Sequence, residues 1–112
     1  MYDQRKMSVI LQFYNLNIFI PHLVTDTTPP VIACPANQII TTSATSTTVT
    51  FTGSNAATGT DNSGGLVTFT YSPTSGSTFS VGTTLVTATG SDPSNNEATC
   101  TFDVIVIQGI YK

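Results

Sequence analysis

The sequence predicts an all-β fold, a β-sandwich of roughly six to seven short strands, and three observations carry that expectation. Apolar residues recur at alternate positions, which is the period of a half-buried strand. Thr fills the positions between them; it is β-branched, suits a pleated surface and offers a hydroxyl to water. Clusters of Gly, Pro, Asn, Asp and Ser separate the apolar runs and read as turns. At 112 residues the chain can build a single modest core.

Residues 1–25 differ from the rest and are read as a leader. The basic pair Arg5-Lys6 precedes an apolar stretch from Met7 to Val24, the order found in a signal peptide. Gln12, Asn15 and Asn17 interrupt that stretch, Pro21-His22 closes it, and no small-x-small cleavage pair precedes Asp26. An imperfect signal peptide and a non-domain segment are the two readings, and a transmembrane helix is disfavoured by the polar residues near its middle. The domain is placed at 26–107, with 108–112 as a C-terminal tail.

Thr28-Pro29-Pro30 forces an extended lead-in, because each proline restricts the residue before it. Val31–Cys34 then reads as a short first strand, Pro35-Ala36-Asn37 interrupts it, and Gln38–Thr42 resumes it as an edge strand. Thr47–Thr52 places Val49 and Phe51 on one face. Asn55–Gly65 reads as loop, ending in the turn signal Asp61-Asn62-Ser63-Gly64-Gly65. Leu66–Tyr71, Thr78–Val81 and Thr83–Thr89 follow as strands, and Gly90–Asn96 is a turn. The last strand, 98–107, puts Cys100, Phe102, Val104 and Val106 on one face and Thr99, Thr101 and Asp103 on the other. Ile105 and Ile107 break the polar face, which suggests that this end is covered on both sides or meets a neighbouring domain. The expected core is Val31, Val49, Phe51, Phe69, Phe79, Val86, Phe102 and Val104.

Charge excludes several functions. Arg5, Lys6 and Lys112 are the only Lys or Arg residues, so the interior of the chain is acidic and has nothing with which to neutralise phosphates. No nucleic acid partner is expected, and anionic membrane surfaces and membrane insertion are disfavoured. Cys34 and Cys100 are the only cysteines; their distance in sequence and the lack of a CxxC spacing fit a structural disulfide, hence an extracellular, secreted protein, with two buried free thiols as the other reading.

The runs DTTPPVIACP (26–35), TDNSGG (60–65), SGSTFSVGTT (75–84), SDPSNNEATCTF (91–102) and DVIVI (103–107) resemble, in order and spacing, the HYR domain or hyalin repeat. The resemblance implies an immunoglobulin-like β-sandwich, similar to fibronectin type III, in extracellular proteins associated with cell adhesion. It also implies that Cys34 and Cys100 are the family's cysteine pair and that Asp61-Asn62-Ser63-Gly64 is its central loop. Asn95 stands where the family's turn usually has Gly, which asks Asn to adopt a left-handed conformation it tolerates better than most residues. Phe51 stands where the family often has Trp.

No catalytic site can be assembled from these residues. His22 is the only histidine and lies in the leader, so no Ser-His or Cys-His pair forms within the sandwich. Asp61 and Asp92 are the one conceivable glycosidase pair, but Asp in Asn/Ser/Gly turns ordinarily caps local backbone. No cofactor is expected, with calcium as the exception to consider: Asp61, Asn62, Asp92 and Asn95 are hard oxygen ligands on loops. The expected function is non-catalytic adhesion or matrix interaction, by surface contact with an extracellular protein or matrix partner or by self-association. A passive spacer or carbohydrate-binding appendage is the alternative.

Overall fold

The computed structural model describes residues 8–13, 16–21 and 26–109. Ten strands follow in chain order: β1 (Ser8–Phe13), β2 (Leu16–Pro21), β3 (Val31–Ala33), β4 (Gln38–Thr42), β5 (Ser46–Val49), β6 (Thr58–Thr60), β7 (Thr68–Ser72), β8 (Ser77–Ser80), β9 (Gly82–Ser91) and β10 (Glu97–Gln108). A 3-10 turn at Gly53–Asn55 is the one helical element among the described residues. The fold is all-β, as the sequence predicts. β4, β10, β9 and β7 form a four-stranded sheet in that order, while β1–β2, β3–β6 and β5–β8 form two-stranded sheets. Of the leader, β1 and β2 pair antiparallel, Ser8 opposite Pro21 and Phe13 opposite Leu16. Arg5-Lys6, the leader's end at 22–25 and the tail residues 110–112 lie outside the described residues.

The chain groups into two compact units. The first contains residues up to Val31 with Gly59–Thr68 and Gly90–Ala98, and the second contains Ile32–Thr58, Phe69–Thr89 and the chain from Thr99 onward.

In the second unit the period-two pattern of β10 does what it predicts. Phe102, Val104 and Val106 are buried, Cys100 packs beside them, and Val86 and Ala88 of β9 are fully covered. Val49 of β5 and Phe79 of β8 belong to the same cluster, so the β5–β8 pair and the four-stranded sheet meet across one core. β5 and β8 run antiparallel, with Thr47 opposite Phe79. β4 joins the other sheet parallel to β10, with Gln38 opposite Val104, Ile39 opposite Ile105 and Thr42 opposite Gln108. Phe51 lies at the centre of an aromatic group, 4.8 Å from Tyr71 and 5.2 Å from Phe102 in an edge-to-face contact, a geometry that ring quadrupoles favour. The Tyr71 hydroxyl accepts a hydrogen bond from the Ala57 N–H at 2.9 Å, which satisfies the polar end of a half-buried ring. Cys34 and Cys100 form the expected disulfide, with Cα atoms 5.8 Å apart.

Several expectations need correction. Val31 is 74% exposed and is not core, whereas Ala57, Ala88 and Val106 are buried and Phe69 is only half-buried against the cluster. Thr58–Thr60, read as loop, is a strand that pairs with β3. The strand expected at Thr47–Thr52 is Ser46–Val49, leaving Phe51 buried beyond its end. Leu66 is 79% exposed ahead of β7, which begins at Thr68.

Candidate functional site

The first unit contains an acidic knot built from turn chemistry. Asp92 closes the turn into β10: its Oδ1 accepts the backbone N–H groups of Ser94 and Asn96, each at 2.9 Å. The Asp92 carbonyl accepts the Asn95 N–H at 3.0 Å, and Asn95 takes a left-handed φ of 66°, as expected from its place in the turn. Asn96, which sequence reasoning passed over, ties the knot. Its Nδ2 donates to Asp92 Oδ2 at 3.0 Å and to the Asp26 carbonyl at 2.8 Å.

Asp61 opens the second turn. Its Oδ2 accepts the Ser63 N–H at 3.2 Å and the Ser63 hydroxyl, and its carbonyl accepts the Gly64 N–H at 2.9 Å. The Gly64-Gly65 pair has two separate reasons. Gly64 sits at φ +80°, and a Cβ on Gly65 would come within 2.5 Å of the Pro93 side chain, so the two turns pack together only with glycine there. Asp26 Oδ1 accepts the Thr28 N–H at 3.1 Å, which directs the lead-in of the domain.

These turns bring Asp26, Asp61 and Asp92 together, one carboxylate oxygen of each lying within 4.8 Å of the others. At that separation each ionised pair repels by about 1–3 kcal/mol, depending on how far water screens it. No Lys, Arg or His occurs among the described residues to offset this. Of the residues expected to ligate calcium, Asp61 and Asp92 are in the cluster, while Asn62 and Asn95 are exposed residues of its turns. Asp26 is the member the sequence did not flag.

Burial pushes the Asp92 carboxyl up, for the residue is only 4% exposed. The hydrogen bonds from Asn96, side chain and backbone, and from the Ser94 N–H outweigh burial and hold Asp92 below the usual carboxylate range. A folded-state pKa below the unfolded one means that ionised Asp92 stabilises the fold above about pH 4, and that this contribution is lost as pH falls through the folded value. Urea unfolding of wild type and Asp92→Asn in chelator should therefore show a deficit for the variant near neutral pH that shrinks below about pH 4. A deficit that stays constant with pH would mean the carboxylate charge contributes nothing.

What the chemistry defines is a disulfide-closed, all-β module whose polar groups serve turns. Comparison with known proteins narrows the class: the family model for the HYR domain matches residues 25–106, and the chain belongs to the HYR domain family. Hyalin from Lytechinus variegatus is 39% identical over 83 residues, which is 74% of this chain and 16% of hyalin. The chain thus spans a small part of that relative's length. No solved structure matches the chain. Among the described residues no helix is long and apolar enough to cross a membrane.

Proposed function

We propose that this domain is a non-catalytic extracellular module that works by surface contact, with a protein or matrix partner or with copies of itself. The observation that carries the reading is the outer face of the four-stranded sheet. Ile39 of β4 stands opposite Ile105 of β10 in parallel register. Ile39, Leu85 and Ile107 are 67%, 59% and 47% exposed. Apolar side chains gathered on a sheet face invite a partner, and the strands lack the Lys that natural sheets use to discourage association. The disulfide supports an oxidising, extracellular setting, and membership of the HYR family supports an adhesion role.

The same residues argue against enzymatic activity. Both oxygens of Asp92 are occupied by turn donors, and the residue is buried, so it cannot face a substrate as a catalytic carboxylate must.

Sedimentation velocity at rising concentration, together with binding to an extracellular-matrix preparation, tests the proposal. The weight-average mass should rise with concentration or the matrix should retain the protein. Either response should change little with salt, because few ion pairs can form. A strictly monomeric protein that binds no matrix component would leave only the spacer alternative.

A further inference from the structure

We infer that the open edge of β4 pairs antiparallel with β4 of a second copy of this chain and joins the two four-stranded sheets into one. The inference rests on the surface-contact reading, whose partner it names, and draws on the second unit alone. β4 ends the sheet, with β10 on one side and no strand among the described residues on the other. The Thr42 carbonyl accepts the Gly109 N–H at 2.8 Å, so the N–H and C=O groups of Thr42, and by the alternation of an extended strand those of Ile40 and Gln38, turn toward β10. Those of Ile39 and Thr41 turn the other way, and neither residue's backbone enters a turn or loop hydrogen bond.

A row of unpaired donors and acceptors is a template for another strand, and β4 is complementary to itself. About a two-fold axis at Ile40, Ile39 stands opposite Thr41 of the second copy and Thr41 opposite its Ile39, so the edge-facing residues meet as pairs that exchange both hydrogen bonds. The same pairing extends the outer face. Ile105 stands beside Ile39 and Ile107 beside Thr41 within each sheet, so the apolar side chains of both copies run on across the joint. Charge does not oppose it. β4 has no charged residue, and Asp103 comes one step before the Val104–Gln38 pair. At a strand rise of about 3.3 Å per residue Asp103 lies more than about 20 Å from its counterpart, well beyond the screening length of roughly 8 Å. Gln38–Thr42 also contains neither Lys nor Pro, the usual guards of an edge. β7, the other edge of the sheet, exposes only Thr68, Thr70 and Ser72, and pairing there brings no apolar side chains together.

The test is sedimentation of the full-length, disulfide-bonded protein and its Thr41→Pro variant, with residue-resolved amide exchange of wild type by NMR at low and high concentration. A two-fold contact closes, so the mass should rise with concentration and level off at twice that of the 11.8 kDa chain. Proline is tolerated on an edge strand where its N–H would face solvent, so Thr41→Pro should stay folded by circular dichroism and keep Ile39 and Ile107. It removes an edge donor from each copy and should weaken association at least about tenfold. Exchange needs no variant: the amides of Ile39 and Thr41 should slow as the dimer forms, while those of Gln38, Ile40 and Thr42, already bonded to β10, should not change. A folded Thr41→Pro protein that associates as wild type does would overturn the edge pairing, as would a dimer without the alternating protection or a mass that climbs past the dimer. Each of these leaves the surface-contact reading standing, and so does a protein that stays monomeric yet is retained by matrix. Absence of both association and retention would remove the two together.

Discussion

Removing the Cys34–Cys100 bridge will lower stability by about 4 kcal/mol. The bond closes a sequence separation of 66 residues, and on the chain-entropy account a loop of that size loses about 4 kcal/mol of unfolded-state entropy when cross-linked. Domains of this size have total stabilities of about 5–15 kcal/mol, so the loss is a large share of the whole. At about 4–8 °C per kcal/mol, the midpoint should fall by roughly 15–30 °C. Thermal unfolding of the Cys34→Ala/Cys100→Ala protein against wild type measures it, and alkylation of native wild type should find no thiol. Equal midpoints would show that packing alone supports the core.

Phe102→Ala should cost about 3–5 kcal/mol. The ring is 3% exposed and makes edge-to-face contacts with Phe51 at 5.2 Å and Tyr71 at 6.5 Å. Truncation removes its burial and leaves a cavity between rings that cannot collapse without losing their own contacts. Phe102→Leu keeps most of the volume and should cost markedly less than the alanine. Urea unfolding separates the two; a loss below about 1 kcal/mol for the alanine variant would place Phe102 outside the stabilising core.

The strands that could be read in advance are those whose alternation is long enough to fix its own phase. β10 shows this best: Phe102, Val104 and Val106 are buried in sequence order, and Asp103 and Ile105 between them sit half-covered. β3 is three residues, Val31-Ile32-Ala33, all apolar, and such a run carries no phase. The structure exposes Val31 and turns Ile32 inward, the opposite of the expected orientation. β6 is Thr-Gly-Thr, which has no apolar residue to betray a strand; its pairing with β3 is a property of the tertiary fold.

The acidic knot was half legible for a related reason. Asp61 and Asp92 stand in recognisable turn motifs, and the left-handed Asn95 follows from the turn it completes. Asp26 lies 35 residues before Asp61 and 66 before Asp92, beside prolines that suggest only extended chain. Nothing local links it to the other two. Asn95 was marked by its place in the turn, whereas nothing in the sequence marked Asn96, which supplies the side-chain bonds.

The central claim is contact through the outer sheet face, and the measurement closest to it is sedimentation and matrix retention of an Ile39→Lys/Ile107→Lys protein beside wild type. Both side chains are exposed, so the variant should unfold within about 0.5 kcal/mol of wild type per site. Charge placed on that face should abolish association at concentrations where wild type associates. Undiminished association by the folded variant would contradict the account and move the contact to another surface.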